Sequence, residues 1–318
     1  MFDNIKNSKA SFKVNFSAGP DSDQLTDRIG PSFRTVIGIM FLQQFIASFS
    51  YPLSKIGLNQ IDPYSFAFFR FLAASVVFAL ILVVKKSPSK IPLQDHFKLL
   101  LIGLILIPGN QLLFLIGQSM TTASNASLMF ATTPIFIYIL AIFILREKFL
   151  IRRTIGILIA IVGVYLIISG GHLKFGEQSL VGDLLVLAAA FAWAVGAIMG
   201  KPLSQKYGAL RVTGLSLTYG SIIYFPFGLI RALNSDFSAV RLSGWLCILY
   251  MGIVISIAAY VLWYWILKYL ETSRVAVIQN IQPIIATSVA ALALSEPISR
   301  NLILGGAIVI MGVLLTEI

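Results

Sequence analysis

Ten runs of continuously apolar sequence, each about 20 residues long, leave this chain few ways to fold. They lie near 35–54, 64–84, 98–118, 123–145, 153–170, 182–200, 210–230, 243–267, 273–294 and 300–316. A helix of about 20 residues rises about 30 Å, the thickness of a bilayer's hydrocarbon core. Membrane strands alternate polar and apolar residues over about ten positions, so the continuity of these runs argues against sheet. Only 12% of the 318 residues are charged, against roughly 25% in a soluble domain that must face water. The expected fold class is an all-α integral membrane protein with ten transmembrane helices in a lipid bilayer.

Residues 1–34 are polar and mix Lys6, Lys9 and Lys13 with Asp21, Asp23 and Asp27. They hold no apolar core with a small-residue cleavage site, so a cytoplasmic tail is expected rather than a removable signal. A formal charge of +11 would suggest nucleic acid as a partner for a soluble protein. In a membrane protein the positions of the charges matter more. With the amino terminus inside, eighteen Lys and Arg residues fall on the cytoplasmic side, five fall opposite, and Arg70 lies within the second span. That asymmetry predicts both termini on the cytoplasmic face of the cytoplasmic (inner) membrane, and it accounts for the charge without nucleic acid. The single Cys247 sits in an apolar run and offers no disulfide framework.

The two halves of the chain repeat each other. Pro134 and Pro283 are 149 positions apart, as are Gly103 and Gly252, Glu147 and Glu296, Gly156 and Gly305, and Gly163 and Gly312. Thr122-Ala123-Ser124-Asn125 through Arg146-Glu147-Lys148 aligns with Thr272-Ser273-Arg274 through Ser295-Glu296-Pro297. Lys55 and Lys201, 146 apart, close helices one and six. Five helices per copy is an odd number, so the second copy enters the membrane from the opposite side. The expected organisation is a first repeat over 35–170 and a second, inverted, over 182–316. Such halves can open to either side at nearly equal energy around a site near the midplane.

Two five-helix halves, each with a small-residue segment, a helix-breaking proline and a following glutamate, resemble an EamA-type protein of the drug/metabolite transporter superfamily. The resemblance covers about residues 35 to 316. It implies a ten-helix carrier, commonly an exporter of amino acids, metabolites or drug-like compounds. It also implies a central cavity lined by helices one, three, four, six, eight and nine.

Several side chains are candidates for that cavity. Pro134 and Pro283 kink their helices and free the carbonyls four residues earlier, at Phe130 and Gln279. Thr133 and Gln282 are repeat equivalents beside these kinks and are expected at the two ends of a substrate site; Thr133 could instead serve only its own backbone. On helix three, Gln111, Phe114 and Gln118 share a face, and on helix eight Ser256, Tyr260, Trp263 and Tyr264 do the same. Gln111 and Tyr260 are repeat equivalents. Trp263 and Tyr264 could alternatively form an interfacial belt. Helix one offers Gln43 and, on one face, Gln44, Ser48 and Tyr51; helix six offers Trp193, with Gly196 and Gly200 read as packing positions. Rings would supply contact area and amides orientation, as a site for small amphipathic molecules needs.

Charge inside the spans is sparse. Arg70 lies near the start of helix two, where snorkelling to the outer interface is the default expectation. Lys55 and Lys201 end their helices and could draw anions or simply set orientation. Asp183, Glu147 and Glu296 sit at predicted helix ends, and His96 and His172 in predicted loops, so no proton-relay group lies near the bilayer centre. A facilitator or exchanger, or a carrier coupling protons only through acids at helix ends, is expected for a small neutral or zwitterionic metabolite, because a permanent cation would find no counter-charge at the midplane. Export is the expected direction, with nucleotide-sugar or other metabolite import or exchange as the alternative. Catalytic groupings, metal ligands at helical spacing, a channel filter and dinucleotide or P-loop motifs are all missing, so no enzyme, metal or cofactor is expected. The oligomeric state is expected to be a monomer or homodimer.

Overall fold

The computed structural model describes residues 31–84, 90–145, 150–169, 178–270 and 281–317, and all regular structure among them is helical. In chain order the helices are α1 (Arg34–Leu58), α2 (Pro63–Val84), α3 (Leu93–Met120), α4 (Ala123–Ile144), α5 (Thr154–Ile167), α6 (Gln178–Tyr207), α7 (Ala209–Leu233), α8 (Leu242–Tyr269), α9 (Ile281–Leu294) and α10 (Arg300–Leu315). Seven are long and apolar enough to cross a membrane; α5, α9 and α10 are shorter apolar helices. Leu80, Phe143, Ile222 and Leu292 lie exposed on the outside. An apolar exterior of this extent would aggregate in water and suits contact with lipid.

Small residues set the distances between helices. A Cβ on Gly163 would fall 2.7 Å from the carbonyl oxygen of Gly305, and one on Gly312 would fall 2.6 Å from that of Gly156. Position 156 thus meets 312 while 163 meets 305, so α5 and α10 cross antiparallel. The contact is reciprocal: Gly305 is the sequence equivalent of Gly156, and Gly312 that of Gly163. Elsewhere Gly103 of α3 abuts the backbone of Ser216 and Gly220 in α7, and Gly252 of α8 abuts the Arg70 carbonyl in α2. Lipid gives apolar helices no reason to associate with one another, so such close backbone approach supplies much of the attraction.

Four helices depart from regular geometry, three of them at prolines. α1 bends at Phe49, ahead of Pro52, and α4 breaks at Ala131 and Thr132, ahead of Pro134. α3 widens to a π-helix over Ile105–Leu112, which contains Pro108. α8 widens likewise over Tyr250–Ala259 without a proline, and there Ser256 Oγ donates to Met251 O at 2.9 Å. Shifting the first π segment by 149 gives 254–261, which overlaps the second. Widened turns of this kind recur at functional sites.

Some boundaries differ from the sequence reading. His96 belongs to the first turn of α3 and not to a loop, because Asp95 anchors that polar turn by accepting from Lys98 at 2.9 Å, Lys206 at 3.0 Å and Tyr207 at 2.5 Å. α1 runs beyond Lys55 to Leu58, and α6 beyond Lys201 to Tyr207. Asp183 lies in the second turn of α6, buried against Thr121 at 2.6 Å. The polar tail, Arg146-Glu147-Lys148, His172, Thr272-Ser273-Arg274 and Gln279 lie outside the described residues.

Gly163→Ala and Gly312→Ala should each cost about 1–3 kcal/mol by overpacking. Gly38→Ala, where an added methyl meets nothing within 4 Å, should be neutral or stabilising. Thermal unfolding of the three purified variants in detergent separates the two outcomes.

Candidate substrate site

The bends and widened turns converge on one crevice of about 540 Å³, its open mouth included, with lining residues from α1, α2, α3, α4, α6, α8 and α9. Trp193 stands about halfway along the thirty-residue α6, which puts the crevice well inside the bundle.

One wall is aromatic. Tyr51 meets Phe114 and Phe130 with centroids 5.7 and 6.3 Å apart, and Phe130 continues to Trp193 at 6.4 Å. Trp193 packs on Tyr260 at 4.9 Å and on Trp263 at 5.6 Å. Such tilted and edge-to-face contacts are the preferred geometry of ring pairs. The rings lock one another and present a stiff apolar surface to the crevice.

The other wall is polar. Gln282 of α9 donates from Nε2 to Gln44 Oε1 and accepts the Tyr51 hydroxyl at 3.1 Å, which ties α9 to α1 through buried amides. Gln43 donates to Ala259 O of α8 at 3.4 Å, leaving its own Oε1 without a partner. Arg70 of α2 is fully buried, donating from Nε to Ser256 Oγ at 3.0 Å and from Nη1 to Gln111 Oε1 at 2.6 Å. Gln111 donates in turn to Asn110 Oδ1, and Asn110 donates to Ala189 O of α6 at 2.7 Å. The Arg70 snorkelling expectation is therefore corrected. Two turns inside α2 the guanidinium finds two neutral acceptors, Ser256 and Gln111, and the Phe71 ring 4.9 Å from its centre.

Gln111, Tyr51, Trp193, Tyr260 and Gln282 all line the crevice, and Gln44 supports it from behind through Gln282. Gln118 and Thr133 do other work. Gln118 donates to Tyr51 O at 2.7 Å and accepts from Ser54, holding the bend of α1. Thr133 Oγ1 donates to Phe130 O at 2.5 Å, the carbonyl that Pro134 frees. Trp263 and Tyr264 are each 1% exposed and so form no interfacial belt. Gly200 is packing as expected: a Cβ there would lie 2.3 Å from the Tyr264 ring, whose hydroxyl donates to Gly196 O at 3.1 Å. Lys55 caps the end of α3 by donating to Gln118 O at 2.9 Å and Thr121 O at 2.6 Å; Lys201 donates to Leu270 O at 3.4 Å beyond the end of α8.

The model of the EamA-like transporter family matches this chain twice, over residues 34–169 and 180–318. The chain belongs to the EamA-like transporter family. An "Uncharacterized transporter" of Archaeoglobus fulgidus is 31% identical over 284 residues, covering 87% of this chain and 96% of that protein. "Uncharacterized transporter YetK" of Bacillus subtilis is 29% identical, covering 86% of this chain and 84% of its own length. A crystal structure at 16% identity superposes with a TM-score of 0.65 over 89% of this chain and 98% of that one, a likeness of fold. The EamA-like chain is accordingly a multi-pass membrane protein with a transporter's role.

Asn110 is a member of this site that sequence reasoning passed over, and Arg70 is one that it assigned to the interface. The available signal was that Arg70 is the only charged residue in α2 and lies about two turns from its start. Thr133→Val should lower stability by about 1–3 kcal/mol, since it leaves a buried carbonyl unpaired. It should leave the substrate KM unchanged, which transport assays and unfolding of the same preparation would measure.

Proposed function

We propose that the protein is a ten-span carrier built of two inverted five-helix repeats, 35–170 and 182–316, working by alternating access. Its cargo on this reading is a small neutral or zwitterionic metabolite, amino-acid-like or drug-like, moved outward across the cytoplasmic membrane with both termini inside. The observation that carries the reading is the reciprocal antiparallel contact of α5 with α10, since repeat-equivalent helices that run antiparallel are what an inverted duplication requires. Matching π segments in α3 and α8, and Lys55 and Lys201 donating to the ends of α3 and α8, support the same pairing.

The crevice lining suits the binding of a small molecule. Among the described residues no three His, Cys, Asp or Glu side chains group as a metal site would need, and the lining holds amides, rings and one guanidinium. Its walls come from both repeats, so a rocking of one against the other would change which end of the crevice is open.

Comparing metabolites released by expressing and null cells, followed by counterflow in proteoliposomes with the compounds that differ, tests the proposal directly. Gln282→Leu and Tyr260→Ala should each reduce flux by more than about tenfold with insertion intact, since a lost buried hydrogen bond or ring contact costs about 1–3 kcal/mol. Normal flux in both would remove the crevice as the site. Reporter tags should place both termini in the cytoplasm; opposite sides would rule out ten spans.

A further inference from the structure

Among the described residues Arg70 is the one fully buried cation of the crevice, and no acidic side chain there is shown paired with it. Its hydrogen-bond partners are Ser256 and Gln111, and its ring contact is Phe71. Asp95 pairs with Lys98 and Lys206 far along α3 from Gln111. Nη2 is buried and has no hydrogen-bond partner. The Tyr260 hydroxyl lies within interaction range of the guanidinium and of Gln111, but it too makes no hydrogen bond of full geometry. Both residues line the crevice.

An ionised group held away from water is costly unless it is paired, and inside a membrane protein such a group commonly marks a substrate path. We propose that Arg70 binds the carboxylate of the transported molecule. The cargo is then an amino acid, within the zwitterionic class proposed above, or a monoanionic organic acid, which widens that class; either carries one carboxylate and an apolar body. The free Nη2 and the Tyr260 hydroxyl are donors at one end of the crevice, and a guanidinium matches the planar carboxylate. The rings of Tyr51, Phe114, Phe130 and Trp193 take the apolar body. The unpartnered Gln43 Oε1 offers an acceptor for an ammonium group where the cargo is an amino acid.

The charge count limits the alternatives. A single guanidinium, with Lys55 donating to helix-end carbonyls, balances one negative charge and suits a carboxylate better than a dianionic phosphate. A permanent cation would meet like charge at Arg70, which disfavours it.

The assignment rests on the carrier reading above, and the test separates the two. Thermal unfolding of the purified full chain in detergent is followed with millimolar 3-phenylpropionate, L-phenylalanine and L-leucine, and with L-phenylalaninamide and 2-phenylethylamine. At least one carboxylate should raise the midpoint, while the amide and the amine should not. Arg70→Gln should abolish the shift, and Tyr260→Phe, which keeps the ring, should weaken the apparent affinity about tenfold. Should Arg70→Gln fail to fold, the probe series on the unaltered protein and on Tyr260→Phe decides. An amide or amine as effective as its parent acid, no response to any carboxylate, or a folded Arg70→Gln that still responds would each overturn the assignment. Counterflow of amides or amines with no carboxylate preference would overturn the assignment and keep the carrier reading. Acids that bind through Arg70 but do not exchange across proteoliposomes would uphold the assignment and sink the carrier reading.

Discussion

Hydrocarbon offers a polypeptide no hydrogen-bond partner, and the local architecture follows from that. A helix satisfies its own backbone, so irregular backbone survives only where side chains or a polar cavity take over the duty. Here those takeovers can be named. Thr133 receives the duty at the Pro134 break through Phe130 O, and Lys55 covers the carbonyls at the end of α3. Glu296 caps the start of α4, accepting from Ala123 N at 2.7 Å and from Ser124 N at 3.1 Å. A carboxylate at a helix amino terminus also meets the favourable end of the helix dipole. With the helix ends provided for, the interior irregularities of α1, α3, α4 and α8 can gather around one crevice.

The same solvent explains how the helices are held together. Helix contacts in lipid rest on close packing and a few hydrogen bonds, and glycines bring backbones into near contact at α5 with α10, α3 with α7, and α8 with α2. Across the crevice the contacts are of another kind: amide to amide between Gln44 and Gln282, amide to carbonyl between Gln43 and Ala259. Such polar contacts have limited net strength, because water or a ligand group can replace each partner. Tight glycine seams outside and exchangeable amide contacts inside give stiff elements around a yielding centre.

The overall plan was legible because it rests on local signals. Apolar length marked the helices, and glycines and prolines at one fixed spacing marked the duplication that the family model matches twice. The gathering of Gln111, Tyr260, Trp193 and Gln282 around one crevice was legible too, since amides and rings on otherwise apolar faces have few other uses. What sequence could not give was the direction of a long side chain. Arg70 reaches inward because Ser256 and Gln111, far away in the chain, stand where its guanidinium ends. Gln118 and Thr133 look from sequence like Gln282, yet each is occupied by a backbone carbonyl beside a kink. The α8 widening has no proline to announce it.

A transporter's site must hold its ligand and also let it go. An aspartate paired with Arg70 would neutralise the guanidinium and compete with any incoming anion, whereas Ser256 and Gln111 fix its position and leave its charge unbalanced. Gln111 is itself held by Asn110, and Asn110 by the backbone of α6, so the guanidinium's place is set by a chain running from α2 through α3 to α6. With Ser256 on α8, one charged group contacts or leans on helices from both halves of the sequence. Neutral acceptors let its position shift at small cost, because exchanging one amide partner for another changes no net charge. A buried ion pair in the same place would resist that exchange, since parting two charges in a low-dielectric interior costs several kcal/mol. On the alternating-access reading proposed above, a crevice whose halves move past each other is better served by the arrangement found here, with charge on one side and dipoles on the other.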